Sequence, residues 1–105
     1  MAFADNLRQL PSVAHIAALR LLDASGNEVA SIPNAPGKTG SLTIYAALTA
    51  KHGAINVAAA REGLELFAEH TEDARQHPGN HPNIDRLFDV IANSKSYSVQ
   101  IDSQA

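Results

Sequence analysis

The stretch His15–Ile32, HIAALRLLDASGNEVASI, decides the fold. His15 to Asp23 has the length and apolar density of a strand, Asp23-Ala24-Ser25-Gly26-Asn27 is a run of turn formers, and Glu28 to Ile32 resumes an extended pattern. Together they predict a β-hairpin. The first strand is apolar at almost every position, which predicts a central strand covered on both faces or closed on one face by a partner. Its one interruption is Arg20, which either snorkels at an edge or pairs across the sheet with an acid such as Asp102. We favour the pair.

Downstream, Tyr97–Asp102 alternates, with Tyr97, Val99 and Ile101 inward and Ser98, Gln100 and Asp102 outward, the pattern of a half-exposed strand. Between hairpin and tail lie helices. The Pro/Gly-rich loop 33–41, PNAPGKTGS, leads into Leu42, Ile44, Tyr45 and Leu48 at helical spacing, with Thr39 or Ser41 as N-cap and Gly53 just past the end. Asn56 caps the next helix, in which Val57, Ala60, Leu64, Phe67, Ala68, Thr71 and Ala74 share one face and Glu62, Glu65, Glu69 and Asp73 the other. This predicts one long amphipathic helix ending before Pro78, with His77 already extended. Gly63 inside it costs about 1 kcal/mol relative to Ala, so a close contact with a neighbouring element is expected there.

A last helix opens at His81-Pro82-Asn83, repeats Ile84, Leu87, Phe88 and Ile91, and ends near Asn93. At the other end Phe3, Leu7 and Leu10 form a short amphipathic packing arm stopped by Pro11. The predicted fold is α+β: a small antiparallel sheet, the N-terminal hairpin plus the C-terminal strand, with about three helices packed on one face. It is read as a single domain, 1–105.

The chain has 105 residues, a formal net charge of -3 and an apolar fraction of 45%, the composition of a globular domain with no basic stripe for nucleic acid. It contains no cysteine, which excludes disulfides, thiolate metal sites and a Cys nucleophile. Neither a signal sequence nor a membrane-length apolar run is present, so no membrane association and a cytoplasmic location are expected. The apolar first strand, together with Leu66 on the outer side of the long helix, predicts a homo-oligomer.

Chemistry is densest in Glu69–Arg86, EHTEDARQHPGNHPNIDR, which holds three of the five histidines. Pro78-Gly79 fits the centre of a type II turn that returns His77 beside Asn80 and His81. No cofactor is expected; the one alternative is a divalent metal, for which His70, His77, His81 and Asp73 are the candidate ligands, although their spacing matches no established zinc pattern. His70, Asp73 and Arg86 are the catalytic candidates. His70 has a structural alternative as a buried hydrogen-bonding strut to the 77–83 loop. The loop Gly37-Lys38-Thr39 copies the end of a phosphate loop but lacks its first glycine, leaving Lys38, Gly40 and Ser41 as an anion site at a helix start. A plain Gly/Pro turn is the alternative.

The stretch Gly63–Leu87, GLELFAEHTEDARQHPGNHPNIDRL, with LLDASGNEVASI at 21–32 and PGKTGSL at 36–42, resembles a family of small bacterial proteins classed as a domain of unknown function. The resemblance runs over most of the chain. It implies a bacterial, cytoplasmic, uncharacterised protein and brings no catalytic or ligand residue with it. The residues themselves point first to a self-associating or partner-binding module, whose partner is a second copy, another protein or a small anionic ligand. The alternative is a small metal-dependent or acid/base enzyme using residues 69–86.

Overall fold

β1 (Ile16–Leu22) is the middle strand of a three-stranded antiparallel sheet, with β2 (Glu28–Pro33) on one side and β3 (Ser98–Ser103) on the other. The computed structural model describes residues 2–104. The β1–β2 turn closes with the Asp23 carboxylate accepting from the N–H groups of Ser25 and Asn27, both at 2.9 Å, which is how Asp-led turns replace missing ladder bonds. Leu19 faces Ile32 and Ile101 across the sheet, and Leu21 faces Ala30 and Val99. Leu19, Leu21 and Ile32 are buried. The opposite face carries Arg20, Ser31 and Gln100 and stays open, so β1 is covered on one face and not on both. Arg20 pairs with Asp102 as expected, its Nε 2.5 Å from the carboxylate, and also reaches Glu28 at 2.7 Å. Ile101 points inward as expected but is left uncovered. Its register places it on the helix side, but no element covers this edge and it is 43% exposed.

The described residues form five helices rather than about three: α1 (Phe3–Arg8), α2 (Thr39–His52), α3 (Val57–Phe67), α4 (Glu69–Gln76) and α5 (Pro82–Asn93). α2 packs against β1 and β2, and α3 lies between α2 and α5. The core cluster joins Leu19 and Ile32 of the sheet to Leu42, Tyr45 and Leu48 of α2 and to Leu87 and Val90 of α5. Asn56 caps α3 as its sequence predicts, its side-chain oxygen accepting from Ala59 N–H at 2.9 Å. Neither Thr39 nor Ser41 caps α2. Thr39 is its first residue, and its hydroxyl instead holds the preceding loop by donating to Asn34 Oδ1 at 2.8 Å. A Cβ on Gly63 would stand 2.7 Å from Leu87 Cδ1 and 3.0 Å from Leu48 Cδ1, which is the close contact this glycine permits. Leu66 is not left exposed: it is half-buried against the core.

The expected long helix is two. At Ala68 the backbone turns to φ 52°, ψ -119°, and the chain restarts as α4. In an unbroken helix the Leu64 carbonyl would accept from Ala68 N–H. Here the buried Thr71 hydroxyl donates to that carbonyl at 2.6 Å, while Ala68 N–H turns back to Glu65 O at 3.1 Å. The break keeps Thr71 and Ala74 buried and sets Glu69 and His70, at the head of α4, against Phe3 of the N-terminal arm. Among the described residues no helix is long and apolar enough to cross a membrane.

Candidate functional site

The break at Ala68 builds the site. It leaves Glu69 at the head of α4, where its carboxylate accepts from Phe3 N–H at 2.8 Å and ties down the first turn of α1. That bond holds the Glu69 carboxyl below its ordinary range, because the N–H stabilises the ionised form. A second tie runs from Asn6 Nδ2 to Leu66 O at 3.0 Å. The Phe3 ring then stacks near-parallel on Phe67 with centroids 5.9 Å apart, and meets the His70 ring edge-on at 4.6 Å. Gly40, in the first turn of α2, lets Phe3 approach: a Cβ there would lie 2.9 Å from Phe3 Cζ.

Between these elements lies a cleft of about 520 Å³. It is lined by apolar Phe3, Leu7, Phe67 and Ile84, by Lys38, Gly40 and Ser41 from the start of α2, and by His70, His81 and Asn83. The two motifs flagged separately in the sequence therefore border one cleft. The N–H groups of Thr39, Gly40 and Ser41 have no carbonyl partner inside α2, because a helix leaves its first N–H groups unpaired. No carboxylate lines the cleft among the described residues.

The 77–81 turn forms as its Pro-Gly centre predicts: Asn80 N–H donates to His77 O at 3.1 Å and Gly79 has φ 97°. Asp85 secures it by accepting from Gly79 N–H at 2.9 Å. This returns His81 to Asp73, with Nε2 2.6 Å from Oδ2, and the hydrogen bond keeps the Asp73 carboxyl below its ordinary range. Convergence of the four candidate metal ligands is partial. His77 is exposed, 3.9 Å from the same carboxylate, and does not line the cleft. His70 turns toward Phe3 and His81, the two imidazole centroids 5.6 Å apart. Among the described residues no group of three or more His, Asp or Glu side chains is arranged to hold a metal ion.

His70 is not the buried strut. It is half-buried on the cleft wall, and the contacts of its ring are aromatic. Arg86 lies behind the cleft rather than in it, its guanidinium over the Tyr45 ring at 5.7 Å, donating to Tyr45 Oη at 3.1 Å and Asn83 Oδ1 at 2.9 Å. Tyr45 Oη in turn donates to Asn83 O at 2.5 Å, and burial pushes its phenol pKa up to about 12. Arg86 and Tyr45 thus position Asn83, a cleft residue the sequence reading missed along with Phe3 and Phe67.

No curated protein matches the chain, and no solved structure does. A family model described as "Uncharacterized protein conserved in bacteria (DUF2322)" matches residues 3–101, and the chain belongs to that family.

Proposed function

We propose that the chain is a binding module whose cleft takes a small ligand joining an anionic group to an apolar body. One observation carries this reading: Lys38, His70 and His81 all line one cleft, and no carboxylate lines it among the described residues. Free N–H groups at the start of α2 add to the attraction for an anion, and the Phe3 and Phe67 rings offer apolar contact to the rest of the ligand. The volume falls within the roughly 300–1,000 Å³ of small-molecule sites.

A thermal-shift titration with inorganic phosphate, phenyl phosphate and benzoate tests it. A ligand at about 100 times its Kd stabilises the native state by about 2.7 kcal/mol. The midpoint is expected to rise most with phenyl phosphate, and the rise to disappear in Lys38→Ala/His70→Gln. A midpoint unmoved by all three at millimolar concentration counts against the reading.

The Asp73–His81 hydrogen bond favours a second reading, acid–base catalysis in the same cleft, since a carboxylate fixes the tautomer and orientation of its imidazole. Turnover of nitrophenyl esters or phosphates by the purified chain, lost in Asp73→Asn and His81→Ala, is its test. Equal rates in all three proteins would remove it.

A further inference from the structure

We propose that the chain self-associates through the outer edge of β3, two copies pairing antiparallel about a two-fold axis at Ile101. The direction of the edge follows from its hydrogen bonds. Gln104 N–H donates to His15 O at 2.8 Å on the β1 side, so the pleat turns the backbone groups of even-numbered β3 residues toward β1 and those of odd-numbered residues away. Tyr97 obeys this rule. Its N–H and C=O are both taken on the outer side by Ile55, at 3.0 and 2.9 Å, so Ile55 already acts as a fragment of a further antiparallel strand.

Beyond Ile55 the edge is open. The outward N–H and C=O groups of Val99, Ile101 and Ser103 have no partner among the described residues. The two edges of the sheet differ in their protection. β2 is interrupted by an irregularity in its pairing with β1 beside Val29, and it ends in Pro33, which has no N–H to offer. β3, SVQIDS, carries neither proline nor a basic residue, and its only charge, Asp102, is already paired with Arg20.

The occupant that fits is a second copy. Because Tyr97 is taken, the free segment is 99–103, whose centre is Ile101. A two-fold axis there sets Ile101 against Ile101 of the second copy, Val99 against the second copy's Ser103, and Gln100 against the second copy's Asp102. No like charges stand opposite one another, and the outward-facing backbone groups form hydrogen-bonded pairs. The pairing also covers Ile101, which sits at 43% exposure on the face where its cross-strand neighbour Leu19 is fully buried.

The chain has no cysteine, so Ile101→Cys introduces its one thiol. In a hydrogen-bonded antiparallel pair the Cα atoms are about 5.5 Å apart, inside the roughly 4.4–6.8 Å that a disulfide spans. Light scattering of the wild-type chain is expected to give about twice its 11.1 kDa. Mild oxidation should link Ile101→Cys into a covalent dimer while Val29→Cys, on the other edge, remains single. Ile101→Lys should halve the scattering mass with an unchanged circular dichroism spectrum. If that variant unfolds, the cysteine pair decides by itself. A single-chain mass for the wild type at high micromolar concentration overturns the proposal, as does equal linking at positions 29 and 101 or a dimer that survives Ile101→Lys.

Discussion

Arg20 and Asp102 close the open face of the sheet like a clasp: the guanidinium on the central strand meets the carboxylate on the edge strand at 2.5 Å, across 82 residues of chain. Both groups are pushed further into their charged forms, Arg20 upward and Asp102 downward, chiefly by the hydrogen bond between them. Both are substantially exposed, so solvent and salt screen the pair. Arg20→Ala is therefore expected to lower the urea midpoint at low ionic strength and to lower it less in high salt. A salt-independent loss would show that the stem of Arg20, packed on the sheet, matters more than its charge.

Gly63→Ala is expected to be the more damaging change. Its methyl group would enter between Leu48 and Leu87, at distances that force side chains out of position. Overpacking of this kind costs about 1–3 kcal/mol, although Ala is the better helix former by about 1 kcal/mol. A lowered urea midpoint with an unchanged slope is the expected result, and a gain in stability would mean that the two leucines move aside freely.

The α3–α4 break makes two opposite predictions. Thr71→Val leaves the Leu64 carbonyl without its buried partner and should cost about 1–3 kcal/mol. Ala68→Gly relaxes a positive-φ residue and should be neutral or stabilising, even though glycine elsewhere in a helix costs about 1 kcal/mol. Denaturant curves of both variants check this. Fusion of α3 and α4 in the Thr71 variant would appear as increased helical ellipticity.

Acid should weaken the site before it unfolds the whole chain. The folded-state pKa values of Asp73 and Glu69 are lowered, by His81 and by Phe3 N–H respectively. Their contribution is therefore complete above the ordinary carboxylate pKa of about 4 and is lost as pH falls through the lowered values. Stability measured from pH 5 downward should fall more steeply in the wild type than in Asp73→Asn. Parallel curves would show that Asp73 ionisation is not linked to folding.

Much of this architecture is legible in the sequence because it is decided locally. Asp23 and Gly26 announce the hairpin turn, Asn56 and Gly53 mark helix ends, Gly63 announces a close packing point, and the lone charge in β1 announces its partner Asp102. The break at Ala68 is not legible. Apolar periodicity runs straight through it, and the deciding bond, Thr71 to Leu64, replaces a helical bond that the sequence equally permits. Alternation gives Ile101 its face but cannot tell whether a helix lies over it. The cleft was half visible: Lys38 with Ser41, and His70 with His81, stand out as separate motifs. Their meeting depends on how α4 leaves the break, and Phe3 joins them through a bond to Glu69, 66 residues away, that no local pattern signals.

The strand order β2-β1-β3 also sets a schedule for folding. The hairpin can form as soon as its residues are joined, because its loop is short. The seam between β1 and β3 must wait for a segment 82 residues further along, the separation of Arg20 and Asp102, and closing so long a loop is entropically costly and slow. During synthesis the most apolar strand of the protein therefore stands with one flank unpaired until residues 98–103 arrive. That interval is when the nascent chain is most exposed to wrong partners, and it is when a chaperone has the most to do.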